Sequence, residues 1–389
     1  MASVNRLIIF AEARLRILFL ISSLAAGGAE VLVRNLACRM ARSGHAVMIC
    51  YVSSARDGGT DGAYEQHFLE TLREHGVEVS ELGHRCRALP WRGGRRLQSV
   101  IERFQPDLMH VHLGYGLLFQ ALARIHIPTI FTLHNTRLSF PKALFRLFDL
   151  FIDRNVAICA PCEVMLKQCS RRPVKRIANG SPVPANGRAS PRRYPRSGIT
   201  ILSVGALTAQ KGYPTLIHAA ARIVPHFDAK GIPIRFLIAG EGPKHPRLQA
   251  EIDKLGLSKR VLLLGTRIEV DALMAESDLM VMSSRYEGLP IALLEGHQAG
   301  LPIVATDVGG CNEIVRQGVS GRLVLPGAPE ALADAIEWAL ADVARYEEMS
   351  VQALASDETF GMDRCVDLHL ALYRDVLVER RQRSSPPAR

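Results

Sequence analysis

Short continuous apolar runs alternate along most of the chain with longer segments whose apolar residues recur every three or four positions. Unbroken apolar runs suit strands buried on both faces, and the amphipathic segments between them suit helical crossovers. Together they predict α/β architecture with parallel sheets wrapped by helices. In the first half the predicted strands are Ile17–Ile21, Ala46–Val52, Val77–Leu82, Leu108–His112, Thr129–Leu133 and Val156–Ile158. The segment from Ala29 to Arg42 reads as a helix closed by Ser43-Gly44, where glycine accepts the left-handed cap. The periodicity lapses over SPVPANGRASPRRYPRSG, Ser181 to Gly198, which reads as an interdomain linker whose arginines form a solvated charge run. It restarts at Ile199 (ITILSVGAL), with further strands at Arg235–Ala239, Val261–Leu264, Leu279–Met282, Pro302–Ala305 and Arg322–Leu325, and beyond Pro329 the chain reads as helical to about Glu379.

A chain of 389 residues is too long for one ordinary core. The expected division is a Rossmann-like domain over 1–182, a linker over 183–198, a second Rossmann-like domain over 199–355, a helix over 356–379 packing back on the first domain, and a disordered tail over 380–389. Residues before Arg14 read as a short extension. An apolar content of 48% with 22% charged residues describes a globular protein whose cores need no disulfide. Arg14 to Ala26 has the look of a signal peptide, but it runs straight into Gly27-Gly28 and reads as a buried first strand. No run reaches the ~18 apolar residues of a membrane span.

The net charge of +10, carried mostly by arginine, points to phosphate-rich partners: nucleotides or an anionic membrane surface. No aromatic-interleaved basic stretch is present, so nucleic acid is not an expected partner. Eight scattered cysteines suggest a reducing compartment, hence the cytoplasm, including the inner face of its membrane. Cys159-Ala-Pro-Cys162 has CxxC spacing, but no second pair completes a metal site, and chance is the favoured reading. The basic apolar stretch 140–154 (FPKALFRLFDLFIDR) reads as an amphipathic helix, with core packing favoured over a membrane-surface role.

The densest chemistry lies in SRYEGLPIALLEGHQAGLPIVATDVGG, Ser284 to Gly310. Glu287 falls in the turn after a predicted strand, and Glu295 on the helix that follows. Pro290 stands at the expected first helical position. The leading amides near Ile291 and Ala292, backed by the helix dipole, then make an anion site. A carboxylate before that site can accept from sugar hydroxyls, and one just inside the helix can accept both hydroxyls of a ribose. Strand ends are also where open parallel sheets bind ligands, which singles out His134 and, more weakly, His112.

This stretch closely resembles the E-x7-E signature of glycosyltransferase family 4, the group 1 retaining enzymes. Other segments resemble the family in order: Leu24-Ala25-Ala26-Gly27-Gly28-Ala29-Glu30, Thr132-Leu133-His134-Asn135-Thr136, Val204-Gly205-Ala206-Leu207 through Lys211-Gly212, Ile238-Ala239-Gly240-Glu241-Gly242-Pro243, and Gly309-Gly310. The resemblance implies the GT-B fold, two such domains facing across a cleft with the acceptor side in the first and the nucleotide-sugar donor in the second. It implies that Lys211 neutralises the departing diphosphate, that Glu287 binds donor-sugar hydroxyls, and that Glu295 holds the ribose. It places backbone near Arg267 and Ile268 against the base, and Gly288, Leu289, Ile291 and Ala292 along the donor. His134 would contact the donor sugar beside the reacting carbon, Gly27 and Gly28 would let backbone approach the diphosphate or acceptor, and His112 would lie on the acceptor side.

The expected reaction is retaining transfer of a hexose from a nucleoside diphosphate, UDP ahead of GDP, to a hydroxyl of a sugar or lipid-linked glycan of a bacterial surface polysaccharide. No Asp-x-Asp occurs, so no metal and no cofactor is expected. One departure stands out: relatives often carry a basic residue where this chain has Ala206. It leaves open a non-catalytic sugar-nucleotide-binding subunit, and a nucleotide-sugar epimerase is the third reading.

Overall fold

The computed structural model describes residues 14–58, 61–112, 114–138, 140–182, 187, 189–195, 197–355 and 357–384. The expectation for the segment before Arg14 lies outside them. The chain divides into two units: Met1–Ala25 with Ala29–Ala178 and Met362–Arg389, and Ala26–Gly28 with Asn179–Gly361.

The first unit is built on a seven-stranded parallel sheet of β1 (Arg16–Ile21), β2 (Ala46–Tyr51), β3 (Glu78–Glu81), β4 (Leu108–Val111), β5 (Thr129–Leu133), β6 (Arg154–Ala157) and β7 (Val174–Arg176), in the order β3-β2-β1-β4-β5-β6-β7. Ile17 pairs with Val47 on one side and Leu108 on the other, and β1 is buried from Ile17 to Ile21, as its unbroken apolar run demands. β7 was not expected. Its Val-Lys-Arg sequence is polar because it is an edge strand, where charge guards the open side. The helix Gly62–Glu74 starts where the Asp61 carboxylate accepts from the Ala63 and Tyr64 amides at 2.8 and 3.2 Å. The final helix, Met362–Ser384, belongs to this unit and extends past Glu379.

The expected helix over 140–154 is shorter. It spans Lys142–Phe148, a turn follows, and Arg154 already belongs to β6. Phe145 and Phe148 are buried while Leu147 and Leu150 are 59% and 67% exposed, so the helix packs one face inward and leaves apolar residues outside.

The second unit holds a six-stranded parallel sheet of β8 (Ile199–Val204), β9 (Ile234–Ala239), β10 (Val261–Leu263), β11 (Leu279–Met282), β12 (Ile303–Thr306) and β13 (Gly321–Val324), in the order β10-β9-β8-β11-β12-β13. The helix Tyr213–Ala229 lays Leu216, Ile217, Ala220 and Ile223 into the core with Ile201, Phe236 and Ile336. Each leucine, isoleucine or phenylalanine side chain among them contributes about 1.5–3 kcal/mol on burial. In both sheets the order reverses beside the first strand, between β1 and β4 and between β8 and β11. The crevice beyond the carboxyl ends there is where such sheets bind ligands.

The linker arginines are not all solvated. Arg192 is half-buried, and its guanidinium donates to the Met274, Ala275 and Ala299 carbonyls at 2.9, 2.6 and 3.0 Å. These carbonyls close the helices Val270–Ala275 and Ile291–Gln298, where a cation opposes the helix dipole. Arg193 pairs with Glu347 at 3.1 Å. The charge-run reading failed because arginine satisfies several carbonyls at once, an ability its spacing does not reveal.

Candidate active site

Two loops of the second unit meet at its switch point, one after β8 (205–212) and one after β11 (283–290). The Arg285 amide donates to the Gln210 carbonyl at 2.7 Å and the Ser283 hydroxyl to the Lys211 carbonyl at 3.0 Å. Gly212 sits between them at φ 62°, where an added Cβ would stand 2.2 Å from the Ser283 oxygen, so only glycine fits. This stitching fixes Lys211 opposite Glu287, with the ammonium donating to Oε1 at 2.6 Å. The same oxygen accepts from the Ser284 hydroxyl at 2.7 Å, and Gln210 donates to Oε2 at 3.3 Å. The Glu287 and Lys211 side chains are 8% and 20% exposed. The pair cancels in charge, yet an ammonium carries three donors, so Lys211 can hold Glu287 and a phosphate oxygen together.

The helix Ile291–Gln298 follows. Pro290 is its N-cap rather than its first residue, so the helix starts one place later than expected; the Pro290 backbone is extended and no side chain caps the helix. The first-turn amides at Ile291 and Ala292 therefore point out of the helix with no capping side chain to meet them. Glu295 lies half-buried in the second turn. Gly309, at φ 58°, lets the Gly309-Gly310 turn close on the Glu287 loop. An added Cβ there would meet the Glu287 carbonyl at 2.3 Å, and the Gly310 amide donates to the Gly288 carbonyl at 2.6 Å. Leu289 is buried, its carbonyl accepting from the Asn179 side chain at 2.7 Å. Beside the turn, burial and the Glu287 charge push the Cys311 thiol up to about 12, so it stays inert.

Neighbouring loops continue the rim. The Gly205 amide donates to the Ala239 carbonyl, and Gly240 pairs with Gly265, joining the loops after β8, β9 and β10. Arg267 and Ile268, exposed, stand on the last of these. Ala206 is exposed at the end of β8 and brings no charge. Gly27 and Gly28 group with this unit, Gly28 opening the helix Gly28–Arg42.

His112 and His134 lie in the first unit, just beyond β4 and β5. Nδ1 of His112 meets Nε2 of His134 at 2.7 Å, with the rings stacked. His110 lies 4.1 Å from His112 ring to ring and bonds the Tyr373 hydroxyl at 2.6 Å and the Thr132 hydroxyl at 2.7 Å. Burial, and then the neighbouring His369, hold His134 at about 4, and burial also pushes His110 and His112 well down. The cluster is uncharged at neutral pH.

Sequence reasoning missed Gln210, Ser284 and Asn179, which hold the loops, and His110, His369 and Tyr373, which build the histidine cluster. Ser284 stands three residues before Glu287, a spacing that suits side-chain contact in a turn. The others carry no local signal, because their partners lie far away in sequence. Cys159 and Cys162 are buried and outside any disulfide, and among the described residues no group of His, Cys, Asp and Glu could hold a metal ion.

Comparison with known proteins adds to this picture. Residues 192–355 match the family described as Glycosyl transferases group 1, and residues 26–183 match Glycosyltransferase Family 4. The Alpha-D-kanosaminyltransferase of Streptomyces kanamyceticus is 32% identical over 179 residues, covering 45% of this chain and 45% of that protein, less than half of either. The N-acetyl-alpha-D-glucosaminyl L-malate synthase of Bacillus anthracis is 24% identical over 376 residues, 90% of this chain and 94% of its own length. Among solved structures, Anabaena HepE in complex with UDP-glucose superposes with a TM-score of 0.74 at 23% identity, over 92% of this chain and 98% of that one. The sucrose-phosphate synthase of Thermosynechococcus elongatus does so with a TM-score of 0.73 at 18% identity, over 94% and 100%. At these identities the structural likeness speaks for the fold.

Proposed function

From the premise that this chain belongs to the group 1, family 4 glycosyltransferases and has their GT-B fold of two Rossmann-like domains, we propose that it moves a sugar with retention from a UDP-sugar to an acceptor hydroxyl. The observation that carries this reading is the Lys211–Glu287 pair at the β8/β11 switch point, followed at once by an uncapped helix start. In the proposed reaction the bond between the anomeric carbon and the diphosphate oxygen breaks and a bond to the acceptor oxygen forms. The acceptor proton passes to the leaving diphosphate. Lys211 and the amides of Ile291 and Ala292 stabilise the charge that develops on that oxygen, the kind of effect that contributes most to such chemistry. Glu287 holds sugar hydroxyls, Glu295 the ribose, the Arg267–Ile268 loop the base, and His134 the sugar. No step in this scheme calls on a metal.

UDP-glucose in the HepE complex supports the donor choice. The acceptor is proposed to be a lipid-linked glycan at the inner face of the membrane. Exposed Leu147, Leu150 and Val164 beside Lys142, Arg146 and Lys167 give the first unit a basic apolar face, and Lys142 donates across to Gln168 at 3.0 Å. Among the described residues no helix is long and apolar enough to cross a membrane. Co-sedimentation with vesicles containing anionic lipid tests that contact, and equal recovery with neutral vesicles would count against it.

Ala206 favours the second reading, a sugar-nucleotide binder without turnover. The test is a thermal-shift screen of UDP-, GDP- and ADP-sugars, followed by nucleotide release from each stabilising donor in the presence of glycan acceptors. Release with product of unchanged anomeric configuration supports transfer. Stabilisation with no release from any donor supports the binder, and isomerisation of the donor without acceptor supports an epimerase.

A further inference from the structure

The hydrogen bond between His112 and His134 has two neutral forms, and burial tells them apart. Nε2 of His112 is buried and meets no hydrogen-bond partner among the described residues. If His134 donated from Nε2, His112 would accept at Nδ1 and carry its own proton on Nε2, leaving a buried N–H with nothing to bond. Orphaned buried donors are rare because losing water without replacement is costly. If His112 instead donates from Nδ1, its Nε2 is a bare lone pair, a smaller loss. The charged form, with both His112 nitrogens protonated, would orphan the same N–H and add an ion beside His110, whose ring lies 4.1 Å away. The His112 ring is packed among aromatic neighbours. Phe19 flanks it at 5.7 Å and His110 is pinned by Tyr373 and Thr132.

We infer that His112 is a positioning residue that donates from Nδ1 to His134 Nε2 and so locks the proton of His134 on Nδ1. This rests on the glycosyl-transfer reading for its consequence. His134, half-buried, then meets the donor sugar as a hydrogen-bond donor, and its outward nitrogen cannot serve as a base. A bare nitrogen there would compete with the leaving phosphate for the acceptor proton. The lock removes that competitor. In water an imidazole side chain prefers its proton on Nε2, so the native form has to be imposed by a neighbour.

The assignment is read directly by long-range 15N–1H correlation on the full chain labelled at histidine, with His134 identified by the peak set lost in His134→Gln. The expected spectrum at neutral pH shows His134 protonated on Nδ1 and bare on Nε2; a proton on Nε2 in the native chain overturns the proposal without any variant. His112→Asn keeps an amide donor where Nδ1 stood, and His112→Leu keeps bulk alone. The leucine variant is expected to return His134 toward the Nε2 form and to lower kcat about tenfold with little change in KM, as for one lost hydrogen bond. The asparagine variant is expected to restore most of that loss. An unchanged His134 tautomer in the leucine variant, or equal losses in both variants, overturns the proposal. If no donor is turned over but His134 shows the Nδ1 proton, the tautomer assignment stands and only the transfer reading falls.

Discussion

Replacing Lys211 by methionine keeps most of the side chain's bulk and removes its charge. Coulomb's law at the 2.6 Å separation gives a gross attraction to Glu287 of about 6 kcal/mol at an effective dielectric near 20. Each ion gives up several kcal/mol of hydration, so the intact pair adds little net stability. Breaking it is different, because Glu287 stays 8% exposed and loses its cation, while the Ser284 and Gln210 bonds to its carboxylate bring no positive charge. A fully buried pair would cost about 3–5 kcal/mol on losing one partner. Lys211 is one-fifth exposed, so water can reach the gap, and we expect about 2–3 kcal/mol. That lowers the melting point of the second unit by roughly 5–10 °C. Activity should fall further, because the charge on the diphosphate grows as the sugar leaves and Lys211 acts most at that point. Loss of one preorganised stabiliser costs about a hundred- to a thousandfold in kcat. Initial rates of nucleotide release over a donor series, beside a melting curve for each protein, measure both effects. A folded Lys211→Met chain within threefold of the native kcat/KM would refute the reasoning. If Glu287→Gln restores stability to Lys211→Met, the unpaired Glu287 charge explains the loss of stability; activity is read from Lys211→Met alone, because Glu287 is itself proposed to hold the sugar.

Three further outcomes follow from the same structure. Gly309→Ala should cost at least about 2 kcal/mol and weaken donor binding, since the new Cβ meets the Glu287 carbonyl at 2.3 Å with the backbone at positive φ; calorimetry showing no change in melting point would disprove the close approach. Arg192→Ala should lower the second unit's stability by roughly 3 kcal/mol, for three charge-assisted bonds in a half-buried site; a loss under about 0.5 kcal/mol in urea titration would mean water replaces them. Acid lability has a definite sign: burial holds His297 at about 3 and His134 and His369 at about 4, against 6.5 when unfolded, so the unfolded chain binds more protons in between. Stability is whole above pH 6.5 and is lost as pH falls from there toward 4 and then 3, and His297→Leu should flatten the loss seen in urea midpoints between pH 7.5 and 5.

His297 also shows where sequence reasoning stops. It lies on the helix that carries Glu295, is fully buried, and among the described residues neither ring nitrogen meets a partner of good hydrogen-bond geometry, although the Ser320 backbone lies close enough to favour its charged form. Its neighbours in sequence give no hint of this, because burial is decided by what packs across from it. The strands were legible for the opposite reason. A strand buried on both faces must be apolar along most of its length, so β1, β4, β5, β8, β11 and β12 announce themselves, whereas the edge strand β7 is short and charged and did not. The loop chemistry was legible wherever backbone geometry dictates residue type. Gly212 and Gly309 must be glycine because a carbonyl occupies the space of a Cβ, and those demands leave a spaced signature in the sequence.

What the pattern could not show is how the polar groups pair. Gln210, Ser284 and Asn179 are ordinary polar residues until the switch point brings the loops after β8 and β11 together. The same holds for Arg192, which resembles its solvated neighbours and yet closes two helices. The histidines carry the point further. A strand-end position marks His112 and His134 as candidates, but their roles depend on which nitrogen holds a proton. That in turn depends on a buried edge of His112 that meets no partner among the described residues, and on His110, held in place by Tyr373 of the helix Met362–Ser384. Spacing selects the residue types that chemistry needs, and burial then decides their protonation, so a site of this kind is read from sequence as a set of residues and from structure as a set of donors and acceptors.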